Sequence, residues 1–207
     1  MKIRTFTLGP LGTNGFLAAH GGRAVFVDPG GDPAPVLAAL ETGGLTLEAV
    51  LVTHLHCDHV YGCAALARAT GAPVLVGQED LPLLDTELGG GGLMGLPLVE
   101  PFEPTVLAPG PARFLDLPCT VLHTPGHSPG SLSFHFPDQG VVFVGDVLFR
   151  RSIGRTDFPG GDTQTLLDAV RERLFTLAPE TVVHSGHGPS TTVGDEMAHN
   201  PFFNGAY

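Results

Sequence analysis

The sequence predicts an α/β fold in which two β-sheets pack face to face and helices cover their outer surfaces. Short β-like runs bounded by glycine and proline recur along the 207 residues, and a series of strands and helices occurs twice. The chain is 43% hydrophobic and 15% charged, so it can bury a sizeable core and is not intrinsically disordered. We expect one domain with two pseudo-halves, residues 1–104 and 105–207.

The first half contains the first series of elements. Strands are predicted over residues 3–8, 15–20, 24–28, 48–53 and 74–76. A helix is predicted over residues 33–42, because a proline starts it and two glycines follow it. Helices are also predicted over residues 60–70 and 79–84. The half ends in residues 89–104, where four consecutive glycines precede Met94, Leu96, Leu98 and Phe102. This segment is either a flexible linker or an apolar lid.

The second half repeats the pattern. Strands are predicted over residues 112–117, 119–123, 131–136, 141–144 and 181–184. The clearest helix of the chain is predicted over residues 163–176, where leucine and valine recur at helical spacing, and a short one follows over residues 194–198.

Charge and cysteine usage exclude several classes of partner. The formal net charge is −11, which argues against binding to nucleic acid or an anionic membrane. The opening MKIRTFTLGPLG lacks the apolar region of a signal peptide, and no window is long and apolar enough for a membrane helix. Three cysteines without disulfide or metal-site spacing fit a reducing compartment, so we expect a cytoplasmic protein.

The densest chemical signal follows the predicted strand 48–53. Within six residues the segment contains four possible ligands, His54, His56, Asp58 and His59. The chain has ten histidines, which equals the number of its lysines and arginines taken together. One tetrahedral ion does not easily accept four ligands from so short a segment, whereas two adjacent ions do. The alternative is a coincidental surface cluster in a histidine-rich chain.

Three further candidates stand in glycine-rich turns after later predicted strands. They are His127 in TPGHSPG, Asp146 in VFVGD and His187 in HSGHGP. Each alone has an ordinary explanation as a turn residue. Together with the first cluster they give seven possible metal ligands, five histidines and two aspartates.

These motifs resemble the metallo-β-lactamase superfamily over nearly the whole chain. Its His-x-His-x-Asp-His signature is intact at residues 54–59, and His127, Asp146 and His187 follow in the family order. Within the superfamily, TPGHSPGS, GDVLF, SIGRTDFPGGD and GHGPSTT are most similar to the glyoxalase II-like thioester hydrolases. The resemblance implies a four-layer αββα sandwich with a pair of metals at one edge.

The resemblance also implies a role for each ligand. His54, His56 and His127 would hold one metal, and Asp58, His59 and His187 the second. Asp146 and a hydroxide would bridge them. Asp58 would also accept the proton of the nucleophile. Imidazole and carboxylate ligands suit Zn, Fe and Mn; we expect two zinc ions, with Fe or Mn as alternatives.

Four other residues are candidates for supporting roles. Asp28 and Thr53 could orient the ligand imidazoles, although a turn-forming role explains Asp28 as well. Arg155 stands where glyoxalase II has a lysine near its substrate, and it either pairs with a substrate carboxylate or with Asp157. Tyr61 stands where the family often has glycine, and it either alters the pocket mouth or covers the helix.

The sequence therefore favours hydrolysis of an S-acyl-glutathione such as S-lactoylglutathione. A mono-iron persulfide dioxygenase is the main alternative, because SIGRTDFPGG also resembles that branch, although an intact GHG at His187 favours two metals. Lactonase, phosphodiesterase or β-lactamase activity, or metal binding without catalysis, are further alternatives. Since the helical domain that holds much of the glutathione in glyoxalase II has no counterpart in these residues, we expect the metal chemistry to carry over more fully than glutathione recognition.

Overall fold

The computed structural model describes residues 1–205, which form two six-stranded sheets and a two-stranded ribbon. The first sheet has the order β1-β2-β3-β4-β5-β6, with its first three strands antiparallel and the last four parallel. These strands are, in order, Lys2–Leu8, Thr13–His20, Arg23–Val27, Thr46–Leu51, Val74–Val76 and Pro104–Val106.

The second sheet is built from the second half of the chain. Strands β7 to β10 are Gly110–Phe114, Leu117–His123, Leu132–Phe136 and Val141–Gly145, and the ribbon strands β11 and β12 are Leu148–Phe149 and Ser152–Ile153. Strands β13 and β14 are Val182–Ser185 and Thr191–Thr192. The order is β14-β13-β10-β9-β8-β7, in which β10 and β13 are parallel and all other neighbours antiparallel.

Helices connect and cover these strands. Helices α1 to α6 are Ala34–Gly43, Cys57–Val60, Cys63–Thr70, Glu87–Gly90, Thr163–Ala169 and Val193–His199. Three 3₁₀ turns, Gln78–Asp85, Leu93–Gly95 and Pro137–Gln139, and one π turn, Val170–Leu174, complete the described elements. Over residues 1–205, every helix is too short or too polar to cross a bilayer.

Three apolar cores separate four layers. Alternate residues of β3 serve two of them: Phe26 packs with α1 and α3, whereas Val25 packs between the sheets. The central core joins Phe16 of the first sheet to Phe134 and Phe143 of the second. The third core packs α5 and the π turn against the outer face of the second sheet. The predicted αββα sandwich is therefore confirmed.

The predicted bounds of one strand and two helices are wrong, and the backbone conformation at a few residues explains why. The strand predicted over 112–117 is two strands, because Leu115 and Asp116 turn the hairpin with φ of 58° and 59°. The helix predicted over 60–70 is divided at Gly62, whose N–H donates to the Pro29 carbonyl and whose position has no room for a Cβ beside Gly31. The helix predicted over 163–176 changes to a π turn at Val170.

Strand direction brings the candidate site residues to one edge. In the first sheet β3 and β4 are parallel, and in the second β8, β10 and β13 share one direction. The loops after these strands carry Asp28, the 54–59 segment, His127, Asp146 and His187. Carboxyl ends of strands are a common place for a binding site in α/β folds.

Candidate metal centre

All seven predicted ligands lie at this edge in groups of close ligand atoms. Each of three groups offers three atoms within 4.8 Å of one another: His54, His56 and His127; Asp58, His59 and His187; and His54, His59 and Asp146. The first two groups are the two triads expected from the sequence. The third connects them through Asp146, which was expected between the metals.

The triad of His54, His56 and His127, called the histidine triad below, is buried. Nε2 of His54 is 3.1 Å from Nε2 of His127. Burial, and then the neighbouring His127 and His59, lower the pKa of His56 to about 3, and burial also lowers the pKa of His54 and His127. The three imidazoles are therefore neutral near pH 7, which is the state that binds a cation.

The triad of Asp58, His59 and His187, called the carboxylate triad below, is more acidic and more open. Nε2 of His187 is 3.2 Å from Oδ2 of Asp58 and 3.5 Å from Oδ2 of Asp146. Burial opposes protonation of His59, but Asp58, Asp28 and Asp146 raise its pKa well above the ordinary value. The carboxylates around His59 therefore favour a positive charge at this place, on the imidazole or on a bound cation.

Two orphaned atoms support a fit to metal ions. Within the described residues, Nε2 of His59 and Oδ1 of Asp146 are buried without a hydrogen-bond partner, 3.4 Å apart. Buried polar atoms are nearly always partnered, so these two fit ligands of an ion. Gly186 keeps the space open, because a Cβ there would collide with Oδ1 of Asp146. The donor set suits divalent ions.

Asp28 and Thr53 fix the rings of two ligands. Oδ2 of Asp28 accepts from the Thr53 hydroxyl at 2.7 Å and lies 2.9 Å from Nδ1 of His59. Since the Thr53 hydroxyl donates its hydrogen to Asp28, its oxygen accepts from Nδ1 of His54 at 3.1 Å. Both imidazoles are then left with Nε2 free to bind a metal. This is the orienting role that the sequence suggested for these two residues, and it remains our interpretation.

The sequence analysis missed Asp80. This fully buried carboxylate accepts from the Leu55 N–H at 3.1 Å, the Ser128 hydroxyl at 2.7 Å and the Gly130 N–H at 2.6 Å. It therefore joins the loop of His54 and His56 to the loop of His127. In the sequence Asp80 is typical of an acidic residue in the first turn of a helix, and only its long-range partners distinguish it.

Thr13 and Asn14 at the start of β2 were also missed. The Thr13 hydroxyl donates to Oδ2 of Asp58 at 2.8 Å. Asn14 donates its side-chain amide to the carbonyls of Ser185 and Gly188 and its N–H to that of Gly186. These bonds hold both ends of the loop that carries His187. The local sequence GPLGTNG indicates only a turn.

A pocket of about 240 Å³ opens onto the metal centre, and we call it the apolar pocket. His56, Cys57 and Asp58 form part of its lining, and Arg155 contributes to the rest. Its apolar side chains are Leu11, Leu88, Leu93, Met94, Leu96 and Phe158.

The segment 89–104 contributes to this pocket only in part. Met94 and Leu96 line the pocket, whereas Leu98 is 77% exposed outside it and Phe102 packs against the helix-covered core of the first sheet. Residues 93–95 form a 3₁₀ turn, and residues 104–106 form β6. The segment is thus partly structured, and its middle forms one wall of the pocket.

Two predicted substrate contacts have other partners. Nε and Nη2 of Arg155 donate to the carboxylate of Asp157 at 2.7 and 2.8 Å, so this cation is already paired at the pocket. The Tyr61 hydroxyl donates to Sγ of Cys57 at 3.3 Å, and Tyr61 is not part of the pocket lining. The polar groups of both side chains therefore already have partners within the chain.

Comparison with known proteins agrees with the geometry. A family model described as the metallo-beta-lactamase superfamily matches residues 8–187. A Bacillus subtilis protein named probable metallo-hydrolase YqgX is 37% identical over 208 residues, covering 99% of both chains. A Haemophilus influenzae protein named hydroxyacylglutathione hydrolase GloC is 36% identical over 186 residues, covering 88% of both chains.

Solved structures share the fold over nearly the full length. The BLEG-1 B3 metallo-beta-lactamase matches with a TM-score of 0.91 and 37% identity, covering 98% of this chain and all of its own. TTHA1623, solved in a di-iron-bound form, matches with a TM-score of 0.87 and 42% identity, covering 96% and 99%. From its fold, its clustered ligands and these matches, the chain belongs to the metallo-beta-lactamase superfamily, whose metal-dependent hydrolases it resembles.

Proposed function

We propose that the chain is a thioester hydrolase of the glyoxalase II type, acting on S-acyl derivatives of a small thiol, with S-lactoylglutathione as the first substrate to test. The observation that carries the proposal is the pair of triads joined by Asp146 beside an open pocket. The Haemophilus relative's name and the motifs TPGHSPGS and GHGPSTT support the choice of thioester.

In the proposed reaction, water adds to the carbonyl carbon of the thioester. A new C–O bond forms, the C–S bond breaks, and the products are a carboxylic acid and a free thiol. The water supplies the oxygen of the acid and, through its proton, the hydrogen of the thiol. A thiolate leaves readily, so the reaction needs little help from a general acid.

The two triads would hold two divalent ions, which we propose to be zinc, with iron or manganese as alternatives. The ligands would be His54, His56 and His127 for one, Asp58, His59 and His187 for the other, and Asp146 for both. Ions bound there would lower the pKa of a shared water towards ~7 and polarise the thioester carbonyl.

Asp58 is the residue to which we assign the proton of the attacking water. Its Oδ2 is contacted by the Thr13 hydroxyl at 2.8 Å and by Nε2 of His187 at 3.2 Å. These two contacts fix the carboxylate, and Oδ1 is the atom that we propose takes the proton. Burial opposes ionisation of Asp58, yet the charge of His59 and the hydrogen bond of His187 lower its pKa, so its carboxylate is ionised at neutral pH.

A hydrolysis assay with S-lactoylglutathione, with metal content measured on the same sample, tests the proposal. We expect His56→Ala to lose metal and activity together. His20→Ala is the matched control, because His20 is exposed and lies outside both triads. Full activity in His56→Ala after loss of its metal would contradict the mechanism.

The second candidate is a mono-iron persulfide dioxygenase, favoured by the similarity of residues 152–161, SIGRTDFPGG, to that branch. Hydrolysis needs water alone, whereas the dioxygenase consumes oxygen. Oxygen uptake with glutathione persulfide therefore separates the two. Rapid uptake by protein with one iron per chain would replace hydrolysis as the proposed function.

A further inference from the structure

We propose that the apolar pocket binds the acyl chain of the thioester and selects hydrocarbon chains of medium length over short or hydroxylated acyl groups. This inference rests on the proposed function and specifies its substrate class. It concerns the residues of the pocket wall, which the ligand motifs do not include.

The position of the pocket favours the acyl chain as its occupant. The lining includes the two proposed ligands His56 and Asp58, and the ring of Phe158 lies 5.6 Å from that of His56, centroid to centroid. A carbonyl held at the metal centre would therefore have its attached chain next to the apolar wall. Four leucines, Leu11, Leu88, Leu93 and Leu96, line the same space.

The size of the pocket agrees with this assignment. Its volume of about 240 Å³ is many times the space that one water molecule needs, so it has room for a chain of several methylenes. The charged carboxylates and the ammonium of a tripeptide thiol such as glutathione would lose water against this largely apolar lining without gaining partners, which disfavours the carrier there. The polar carrier then extends into solvent, and the acyl chain occupies the apolar space.

The polar groups of the lining offer little to a hydroxyl or carboxylate. Apart from the proposed metal ligands, they are the Arg155 guanidinium and the Cys57 thiol. The guanidinium is bound to Asp157 through two hydrogen bonds and lies 3.8 Å above the Phe158 ring, and the thiol accepts from Tyr61. A hydroxyacyl group would lose water here without gaining a free partner, which disfavours it.

The side chains between the apolar pocket and a second apolar cavity would set the upper limit of chain length. This cavity, of about 350 Å³, shares the side chains of Leu88, Leu93 and Phe158 with the apolar pocket. The three side chains thus stand between the two spaces. Shortening Leu93 would connect them and admit a longer chain.

The test is a series of S-acyl-glutathiones, from acetyl and lactoyl through butyryl, hexanoyl and octanoyl to decanoyl, assayed by release of free thiol. Each methylene buried against the wall should raise kcat/KM about two- to fourfold, so hexanoyl should exceed acetyl by about tenfold or more. Lactoyl should not exceed butyryl. A flat or falling series in the wild-type chain would overturn the inference.

Two substitutions of one residue, with a matched control, examine the wall itself. Leu93→Asn should flatten the dependence on chain length, and Leu93→Ala should move the optimum to a longer chain. Leu98→Asn is the control, because Leu98 belongs to the same segment, is 77% exposed and is not part of the lining. An unchanged chain-length profile in both Leu93 variants would overturn the inference.

Calorimetric titration of the metal-loaded protein with hexanoate and acetate separates this inference from the proposed function. Tighter binding of hexanoate, reduced in Leu93→Asn, supports the pocket assignment even if no thioester is hydrolysed. Absence of hydrolysis for every thioester would contradict the proposed function alone. Equal binding of the two acids would contradict the pocket assignment alone.

Discussion

The two sides of the metal centre are built differently. On the inner side, Thr13, Asp28 and Asp80 are at most 1% exposed and make hydrogen bonds to ligands or to ligand loops. With Asn14 they form what we call the inner frame. On the outer side, the apolar pocket is walled by side chains such as Met94, which is 95% exposed and has a φ of 52°.

From this difference we propose that rate and selectivity have separate structural origins in this chain. The inner frame orients the proposed metal ligands through directed hydrogen bonds. A substitution there would displace the ligands, and this would affect the reaction of every substrate. The apolar wall would act through the area of contact with the acyl chain, which differs from one substrate to another. Substitutions in the two regions should therefore have different signatures, which the following predictions compare.

The largest effect is expected at Asp146, the ligand between the two triads. Asp146→Ala should remove metal and reduce kcat by on the order of 10³-fold or more for all thioesters, because both triads lose a charged ligand. Metal analysis and kinetics on the same sample measure this. Asp138→Ala, at an exposed turn, is the control and should be unaffected. Retained activity without metal would refute the ligand assignment.

A smaller effect is expected at Asp58, where chemistry and metal binding can be separated. Asp58→Asn keeps the shape and one oxygen but cannot accept a proton, so kcat should fall by roughly 10²- to 10³-fold while metal content falls less. The ratio of the two losses is the readout. If activity and metal fall in equal proportion, Asp58 is a ligand only.

Asp80→Asn should cost about 10- to 100-fold in metal affinity or kcat, because an amide cannot accept all three hydrogen bonds that the carboxylate accepts. KM for short and long acyl chains should change together. A double-mutant cycle with Ser128→Ala distinguishes a positioning role from a general loss of stability, since the two losses should then not add. Additive losses would show that Asp80 does not act through the His127 loop.

The smallest effect is expected at Arg155. Its ion pair with Asp157 is exposed and screened by solvent, so it should contribute little to stability and Arg155→Ala should leave Tm nearly unchanged. We also expect kcat/KM for S-lactoylglutathione to change less than about threefold, because the guanidinium is already paired. A tenfold increase in KM with unchanged kcat would instead identify Arg155 as a substrate-binding residue.

The features that the sequence predicted are those that depend on neighbouring residues. His54, His56, Asp58 and His59 lie in one short motif after a buried strand, so their convergence follows from local spacing. His127, Asp146 and His187 are recognisable because each follows a predicted strand in a glycine-rich turn. The doubled strand and helix pattern gives the two sheets for the same reason: hydrophobic runs are local.

The inner frame and the shortest elements depend on long-range contacts. Asp80 is 48 residues from Ser128, and Asn14 is 171 residues from Ser185, so neither pair has a local signal. Strands β11, β12 and β14 have two residues each, too few for a periodic pattern. The hairpin at Leu115 and Asp116 contains no glycine, which concealed its positive φ angles.

The most direct test of the proposed two-metal hydrolase is to strip the protein with a chelator, reload it, and measure metal content and hydrolysis of S-lactoylglutathione and S-hexanoylglutathione on the same samples. We predict two ions per chain in the active protein, loss of activity when both are removed, and recovery on reloading with a divalent metal. One iron per chain with rapid oxygen uptake on glutathione persulfide, and no thioester hydrolysis, would contradict the proposed two-metal hydrolase.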